Sequence, residues 1–452
     1  MAADLGATSL ADVHQEELDQ TLQELATLVP AGTNYNSRSL GVPVLDALLD
    51  VFTLKPRVPS HAQSDVQHQS RPPSDLIPLR EQQNSEDEEM LRNDMGGGND
   101  GLEEPQVPST VLDSSGVLLA GPSPRIQRPS PVVEVSSSLS ASGKSQLLYY
   151  LTALAVLPHS CGEIPVGGRD AAVVFVDTDG RFNADRLRMV GRGIVQSRQG
   201  RRARREVSED DLETVLASSL QHVHVLRPQS SSALLATLRS LDAYLFDLPR
   251  HRSASRPLHM IAIDSATAFF WQDRLRDEVA RAEDIGRSRD EIEREREQKQ
   301  SFYLSDLYTD VARELKRLQG QLGCAVVYTA TVSSGRSVIN NDPSAAADPS
   351  QFAPQTFSLR PTLPAPWGTF PLLRLIVHRD SVRMFPPTMS AQDARNDAPL
   401  RQSVVRQGKF SAWVNAWGRD QWPRRVVDGI QASSGGVFSF YVRESGVEIP
   451  DE

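Results

Sequence analysis

Cysteine is almost missing from this chain, with two in 452 residues, Cys161 and Cys324. Two thiols, each in or beside an apolar segment, exclude a disulfide framework and a cysteine-ligated metal cluster, and a reducing intracellular compartment is expected. Long hydrophobic runs are missing too. The longest, near 147–157, is too short to span a bilayer, and the acidic N-terminus has no signal-peptide pattern, so a soluble protein is expected. Hydrophobic residues reach only 39%, low for a compact globule, while prolines number 30. That balance predicts a folded core plus a substantial unstructured fraction. Positive charge is scarce overall, at a formal net charge of −10, which counts against nucleic-acid binding. Its distribution reverses the impression. Residues 54–113 carry 5 basic and 12 acidic side chains, whereas residues 370–425 carry 10 basic and 4 acidic.

The length suits one large domain or two ordinary ones. Residues 1–53 read as an N-terminal helical segment and a lead-in to the core, with Leu18, Leu22, Leu25 and Leu28 at helical spacing within 13–28. Residues 54–128, rich in Pro, Ser, Gln and acid, cannot bury enough apolar area to offset their ordering entropy and read as a disordered linker. From 129 to 450, strand and helix alternate, the pattern of an α/β domain with a mainly parallel sheet. Strands are expected over 132–135, 172–176, 222–226, 260–263, 325–328, 372–377 and 437–442. Helices are expected over 145–157, 183–195, 231–246 and 303–319, the last from the stripe Leu304, Leu307, Val311, Leu315 and Leu318. Three insertions interrupt this core. Residues 281–300, twelve of them Arg, Glu or Asp, read as a solvated helical extension or a disordered stretch. Residues 332–366 and 386–409 read as polar loops.

What is present is a short motif in a telling place. Gly143-Lys144-Ser145 lies between the apolar run Val132-Val133-Glu134-Val135 and the helical run Gln146 to Leu157. Strand, loop, Gly-Lys-Ser and helix make a phosphate site: backbone N–H groups of the loop and helix start point at phosphate oxygens, where the helix dipole favours negative charge. Lys144 reaches the terminal phosphates as a point charge, and the Ser145 hydroxyl suits Mg²⁺. Ser138, Ser142, Gly143, Lys144, Ser145 and Gln146 are the expected nucleotide-binding positions. The pattern ordinarily opens with glycine, and here that position is Ser138.

Asp177-Thr178-Asp179-Gly180 ends one expected strand, and Asp264 ends another. Ligands of parallel α/β sheets bind beyond the carboxyl ends of the strands, so Lys144, Asp179 and Asp264 should share one edge. There Asp264 could hold Mg²⁺ through water, together with Ser145, and Asp179 could orient an attacking water. The competing reading of Asp177 and Asp179 is a turn.

The segments Gly143 to Ala153, Val174 to Asp179 with Arg186-Leu187, Ile263 to Trp271 with Asp273-Arg274, and Phe438-Ser439-Phe440 with Glu444 to Glu448 occur in a telling order. In these the chain resembles the RecA-like recombinases, and among them the eukaryotic recombinase paralogues of homologous recombination, the type-two X-ray-repair group in particular. The resemblance spans 129–330 and, more faintly, 370–450. It implies a RecA-type P-loop ATPase core with a mainly parallel twisted sheet flanked by helices, and ATP and Mg²⁺ as cofactors. It also implies a nuclear site of action, other recombinase paralogues as partners, and weak binding of single-stranded or branched DNA. Three departures bear on hydrolysis. Ser138 replaces glycine, Asp179 stands where filament-forming recombinases carry the longer Glu, and Thr329-Ala330-Thr331 lacks the amide side chain that would sense the γ-phosphate. No helix-hairpin-helix DNA-binding domain is evident before the core.

Other residues carry two readings each. The run Arg201 to Arg205 is a nuclear-localisation or phosphate-contacting patch, or a solvated loop. Trp413, Trp417 and Trp422 beside Arg419, Arg424 and Arg425 suit stacking on single-stranded DNA, or burial on the core. Trp271 is expected to pack inside, and His259 to be a packed or surface histidine. A non-enzymatic scaffold with a degenerate ATP site is the main rival reading. A small-molecule kinase would need an arginine-bearing lid, for which 281–300 lacks apolar anchors.

Overall fold

The computed structural model describes residues 39–53, 130–202, 207–298, 302–332, 358–380, 385, 388–418 and 421–450. The expected helix 13–28 and linker 54–128, residues 333–357 of the second insertion and residues 203–205 of the basic run lie outside them.

In chain order the elements are α1 (Pro43–Thr53), β1 (Val132–Ser137), α2 (Lys144–Val156), the short pair β2 (Ser160–Cys161) and β3 (Ile164–Pro165), β4 (Ala172–Asp177), α3 (Ala184–Arg202), α4 (Glu209–Leu220) and β5 (Val223–Leu226). Then come α5 (Ser231–Arg239), α6 (Leu241–Phe246), β6 (Leu258–Asp264), α7 (Phe270–Glu283), α8 (Arg289–Glu297), α9 (Leu304–Leu322), β7 (Ala325–Thr331), α10 (Ala365–Gly368) and β8 (Leu373–Arg379). The last are α11 (Ala391–Gln407), β9 (Lys409–Val414), α12 (Arg424–Ala432), β10 (Val437–Arg443) and β11 (Gly446–Glu448).

The large sheet runs β11-β10-β9-β8-β1-β7-β6-β4-β5. From β8 to β5 every neighbour is parallel, and β9, β10 and β11 continue it antiparallel. This mostly parallel, helix-flanked sheet is the expected α/β architecture, consistent with a RecA-type core. Strands buried on both faces read as continuous apolar runs, which is why they were legible. Their side chains still alternate. Val133, Val173, Phe175, Met260 and Val327 feed one core with α2 and α3, and Val174, Val176, Ile261, Ile263 and Val326 feed the other with α5 and α9. Helix α2 is buried at every residue from Leu147 to Val156, as suits an all-round apolar helix at the centre of a domain.

Several elements differ from the sequence expectation. The expected helix 231–246 breaks at Ser240 into α5 and α6. Of the charged insertion 281–300, residues 281–283 end α7, residues 284–288 form a turn, and 289–297 form α8, which is capped by the Ser288 hydroxyl accepting from Glu291 N, while Arg287 bonds Glu291 and Glu295. The expected loop 386–409 holds α11, whose cap Ser390 accepts from Asp393 N and which ends at left-handed Gly408. None of its described residues is buried, so no apolar stripe announced it.

Trp271 does not pack inside. It is 63% exposed on α7, because Phe270 takes the inward position beside it, and the Arg274 guanidinium lies 5.5 Å from its ring centre. The other tryptophans divide. Trp413 is buried, Trp422 packs edge-on against Phe52 at 5.6 Å, and Trp417 remains partly exposed with Arg360 6.0 Å over its ring. His259 is buried in β6. The basic run begins in the last turn of α3, whose backbone ends at Arg202. Among the described residues no helix is long and apolar enough to cross a membrane.

Candidate functional site

The parallel strands β1, β4, β6 and β7 end on one edge, and their C-terminal loops carry the motif residues. After Ser137 the chain turns through Ala141 and Gly143, both at positive φ (53° and 95°), before α2 begins at Lys144. Glycine is required at 143 for a second reason. A Cβ there would sit 2.8 Å from the Phe410 ring and 3.0 Å from that of Phe440. These two rings, from β9 and β10, stack at 5.3 Å and wall the loop from behind.

The cap of α2 makes no side-chain hydrogen bond, and the first backbone bond of its ladder runs from Leu147 N to Gly143 O. The N–H groups of Lys144, Ser145 and Gln146 are thus the open donors of a helix N-terminus, where an anion is stabilised. Ser142 is buried, and Ser138 and Ser145 are half-buried. The Lys144 ammonium donates back to Leu139 O at 3.4 Å and Ser142 Oγ at 3.3 Å. Desolvation lowers its pKa, while the nearby Asp264 and Asp179 carboxylates act to raise it. Gln146 turns elsewhere: its Oε1 accepts from Arg186 Nε at 2.8 Å. The same guanidinium donates to Arg443 O and Glu444 O, tying α2 to the β10–β11 turn.

The two neighbouring aspartates of β4 take different parts. Asp177 is buried and accepts from Arg181 N (2.9 Å), Phe182 N (3.0 Å) and Arg227 Nε (3.0 Å), so it holds the turn. Asp179 reaches solvent. Partial desolvation and the like charges of Asp264 and Asp177 raise its carboxyl above the ordinary range, against Arg181 and Lys144. Tyr149 supports the same turn from α2: its hydroxyl accepts from Asn183 N at 2.9 Å, and its ring packs with Phe175 and Phe182.

Asp264 is buried at the end of β6, where its Oδ1 accepts from the Thr329 hydroxyl at 2.6 Å. Its carbonyl oxygen accepts from Thr178 N and Asp179 N, at 2.9 and 3.3 Å. Beyond it, Ser265, Thr267 and Thr331 link hydroxyl to hydroxyl at 2.9 and 2.7 Å. The structure therefore brings Lys144, Asp179 and Asp264 to one edge, with Ser145 at the helix start. It places Gln146 against Arg186 and Asp177 in the turn. Thr178, Thr329, Phe410 and Phe440 were not foreseen as site residues, since their partners lie 87, 65 and more than 260 positions away in sequence.

The arrangement suits a polyphosphate with a divalent ion. Open N–H donors and an ammonium meet two carboxylates across the loop, and a glycine leaves room that a Cβ would fill. Among the described residues no cluster of three or more His, Cys, Asp or Glu could hold a metal ion. Mg²⁺ is commonly held by one or two protein groups plus substrate phosphates, which a lone hydroxyl and carboxylate can provide.

No family model matches the chain. It is 35% identical to the DNA repair protein XRCC2 of Mus musculus over 135 residues, covering 30% of this chain and 39% of the mouse protein. It is 25% identical to the DNA repair protein XRCC2 homolog of Arabidopsis thaliana over 303 residues, 61% of this chain and 76% of the plant protein. It is 29% identical to the DNA repair and recombination protein RadA of Methanoculleus marisnigri over 129 residues, 28% of this chain and 33% of RadA. Alongside a parallel sheet whose strand ends carry the motif residues in order, the chain is thus similar over part of its length to the XRCC2 DNA repair proteins and to RadA, and it spans less than half the length of the mouse protein.

Proposed function

We propose that this chain is a subunit in the repair of DNA double-strand breaks by homologous recombination, binding ATP–Mg²⁺, touching DNA weakly, and assisting recombinase filament assembly within a nuclear complex of paralogues. The observation that carries the reading is the N-terminus of α2, with Gly143, Lys144 and Ser145, set against Asp179 and Asp264 in a chain similar to named DNA-repair proteins. In this reading the loop from Ser138 to Gly143 and the first N–H groups of α2 hold phosphate oxygens. Lys144 neutralises them, Ser145 takes the metal, and Asp264 supports it through water. Bound ATP–Mg²⁺ supplies charge that ties these loops together.

Turnover is weak in this reading. Asp179 is one methylene shorter than Glu, and Thr331 is engaged with Thr267 where a γ-phosphate sensor would need an amide. The function then lies in nucleotide-dependent assembly. Residues 54–128 serve as a linker, and the basic 370–425 region contributes to a weak DNA affinity that falls steeply with salt.

A scaffold that has outlived its ATP site is the second reading, favoured by the Lys144 ammonium bonding within its own loop. Thermal unfolding with and without ATP–Mg²⁺, for wild type and Lys144→Ala, separates the two. Ligand at a hundredfold above its Kd stabilises by about 2.7 kcal/mol, a shift of a few degrees. A shift lost in Lys144→Ala, with little phosphate release, supports nucleotide-gated assembly. No shift in either protein leaves the scaffold.

A further inference from the structure

Helix α7 turns Phe270, Asp273 and Asp277 inward, where they are buried. Its opposite face is apolar yet exposed. Trp271, Leu275 and Val279 recur there at helical spacing, each at least half exposed, and Ile285 extends the patch into the turn after the helix. Large apolar side chains gathered on one exposed stretch mark a contact surface. A groove of about 470 Å³ runs beside them, with Leu275, Arg276, Val279, Glu283 and Phe302 in its lining. None of these residues belongs to the proposed nucleotide site.

The charges around the stripe match a second copy of the same helix. Arg276 and Glu283 lie about two turns apart on one flank, and Glu278 and Arg281 lie on the other. In an antiparallel helix pair with twofold symmetry each flank meets its own counterpart, so a residue faces the one equally far beyond the axis. An axis between Val279 and Ala280 therefore sets Arg276 against Glu283 and Glu278 against Arg281, each twice. Val279 and Ala280 meet at the centre, and Trp271 comes within about one turn of Ile285 in the other copy. Glu278 and Arg281 already pair within α7, with Arg274 and Asp277. Among the described residues Arg276 and Glu283 form no ion pair, although Arg276 lies near the buried Asp273. The register thus gives both a partner.

We propose that α7 is a self-association surface, on which two copies of this chain pair antiparallel about that axis and cover the exposed stripe. The helices overlap only over 276–283, about 12 Å of axis, so the contact is small and the dimer reversible.

Sedimentation of the full-length chain over a concentration series tests this. Wild type should pass from monomer toward dimer as concentration rises, and Leu275→Asp should stay monomeric. Arg276→Glu and Glu283→Arg should each raise the dissociation constant at least about tenfold, because each sets like charges opposite one another twice. An equimolar mixture of these two variants should recover dimers, since opposite charges meet again in the mixed pair, and so should the double variant. Thermal unfolding matching wild type shows that the exposed substitutions leave the fold intact. Three outcomes would overturn the proposal: wild type monomeric throughout, single variants that dimerise like wild type, or losses that neither the mixture nor the double variant restores.

Discussion

The hydroxyl of Thr178 donates to the carbonyl oxygen of Ser265 at 2.7 Å and accepts from the same residue's amide at 2.5 Å. One side chain thus clasps the residue that follows Asp264, while its own loop carries Asp177 and Asp179. Together with the two backbone bonds to Asp264 O, the clasp fixes the ends of β4 and β6 to each other.

Replacing Thr178 by valine keeps the shape and removes both bonds. Ser265 is buried, so its backbone N–H and C=O would be left without this partner, at a cost of about 1–3 kcal/mol for an unsatisfied group. Urea unfolding should show Thr178→Val destabilised by that amount and Thr178→Ser nearly unchanged. Equal stability of all three would mean that the loops hold their places without the clasp.

Gly143 makes a sharper test of the loop. Its φ of 95° and the Phe410 ring both oppose a Cβ, so Gly143→Ala carries backbone strain and a clash together. The expected loss is about 1–3 kcal/mol, by analogy with overpacking of a well-filled core. Phe410→Leu combined with Gly143→Ala should recover part of it, since the wall then has room. Thermal unfolding of the single and double variants measures the recovery, and strictly additive losses would remove the steric explanation.

The fold was largely legible because its parallel strands are mostly apolar runs, three of them (β1, β4 and β6) ended by Ser or Asp, and α9 repeats its apolar residues every three or four positions. Lys144, Ser145, Asp179 and Asp264 were legible for a related reason: each sits at a strand end or helix start that local pattern alone locates. The clasp by Thr178, the Phe410–Phe440 wall and the Arg186–Gln146 pair were not, since each depends on strand order, which sequence spacing does not encode. Helix α11 escaped notice because amphipathic pattern records burial, and α11 buries nothing. Its cap, Ser390 followed by Asp393, was the available signal. Trp271 misled because apolar bulk next to a buried strand suggests packing, whereas one helical position decides between core and solvent.

Behind the loop, Glu134 of β1 is buried with two partners. Tyr328 donates to its carboxylate at 2.9 Å and Arg374 at 3.3 Å, and Arg374 also holds Trp367 O and Gly368 O. Burial raises the Glu134 pKa, with Arg374 and Tyr328 opposing. Arg374→Met should therefore cost about 3–5 kcal/mol at neutral pH, because it leaves a buried carboxylate unpaired. Part of the loss should return as pH falls, since a raised carboxyl binds its proton in the folded state first. Adding Glu134→Gln should relieve most of it and abolish that pH dependence. If the single variant unfolds like wild type at pH 7, the carboxylate has little need of the guanidinium.

His224 and His259 set a dependence of opposite sign. Desolvation, with His251 and His222 beside one and Arg169 beside the other, lowers each to about 4. His224 stays neutral between the Ser253 and Tyr244 hydroxyls, at 2.9 and 3.0 Å, while among the described residues His259 Nε2 is buried without a hydrogen-bond partner. The unfolded chain protonates both near pH 6.5, so between there and pH 4 it binds more protons than the folded one. Each histidine's contribution is fully present above pH 6.5 and is lost as pH falls through that window. The slope per histidine is about 1.4 kcal/mol per pH unit near pH 5. Urea unfolding at pH 5 and 6 should show a slope smaller by that amount in His259→Leu than in wild type. Removing His259 also removes an unpartnered buried nitrogen, so the variant should gain on wild type most at low pH. Parallel slopes for the two proteins would mean that His259 takes up its proton in the folded state as readily as in the unfolded chain.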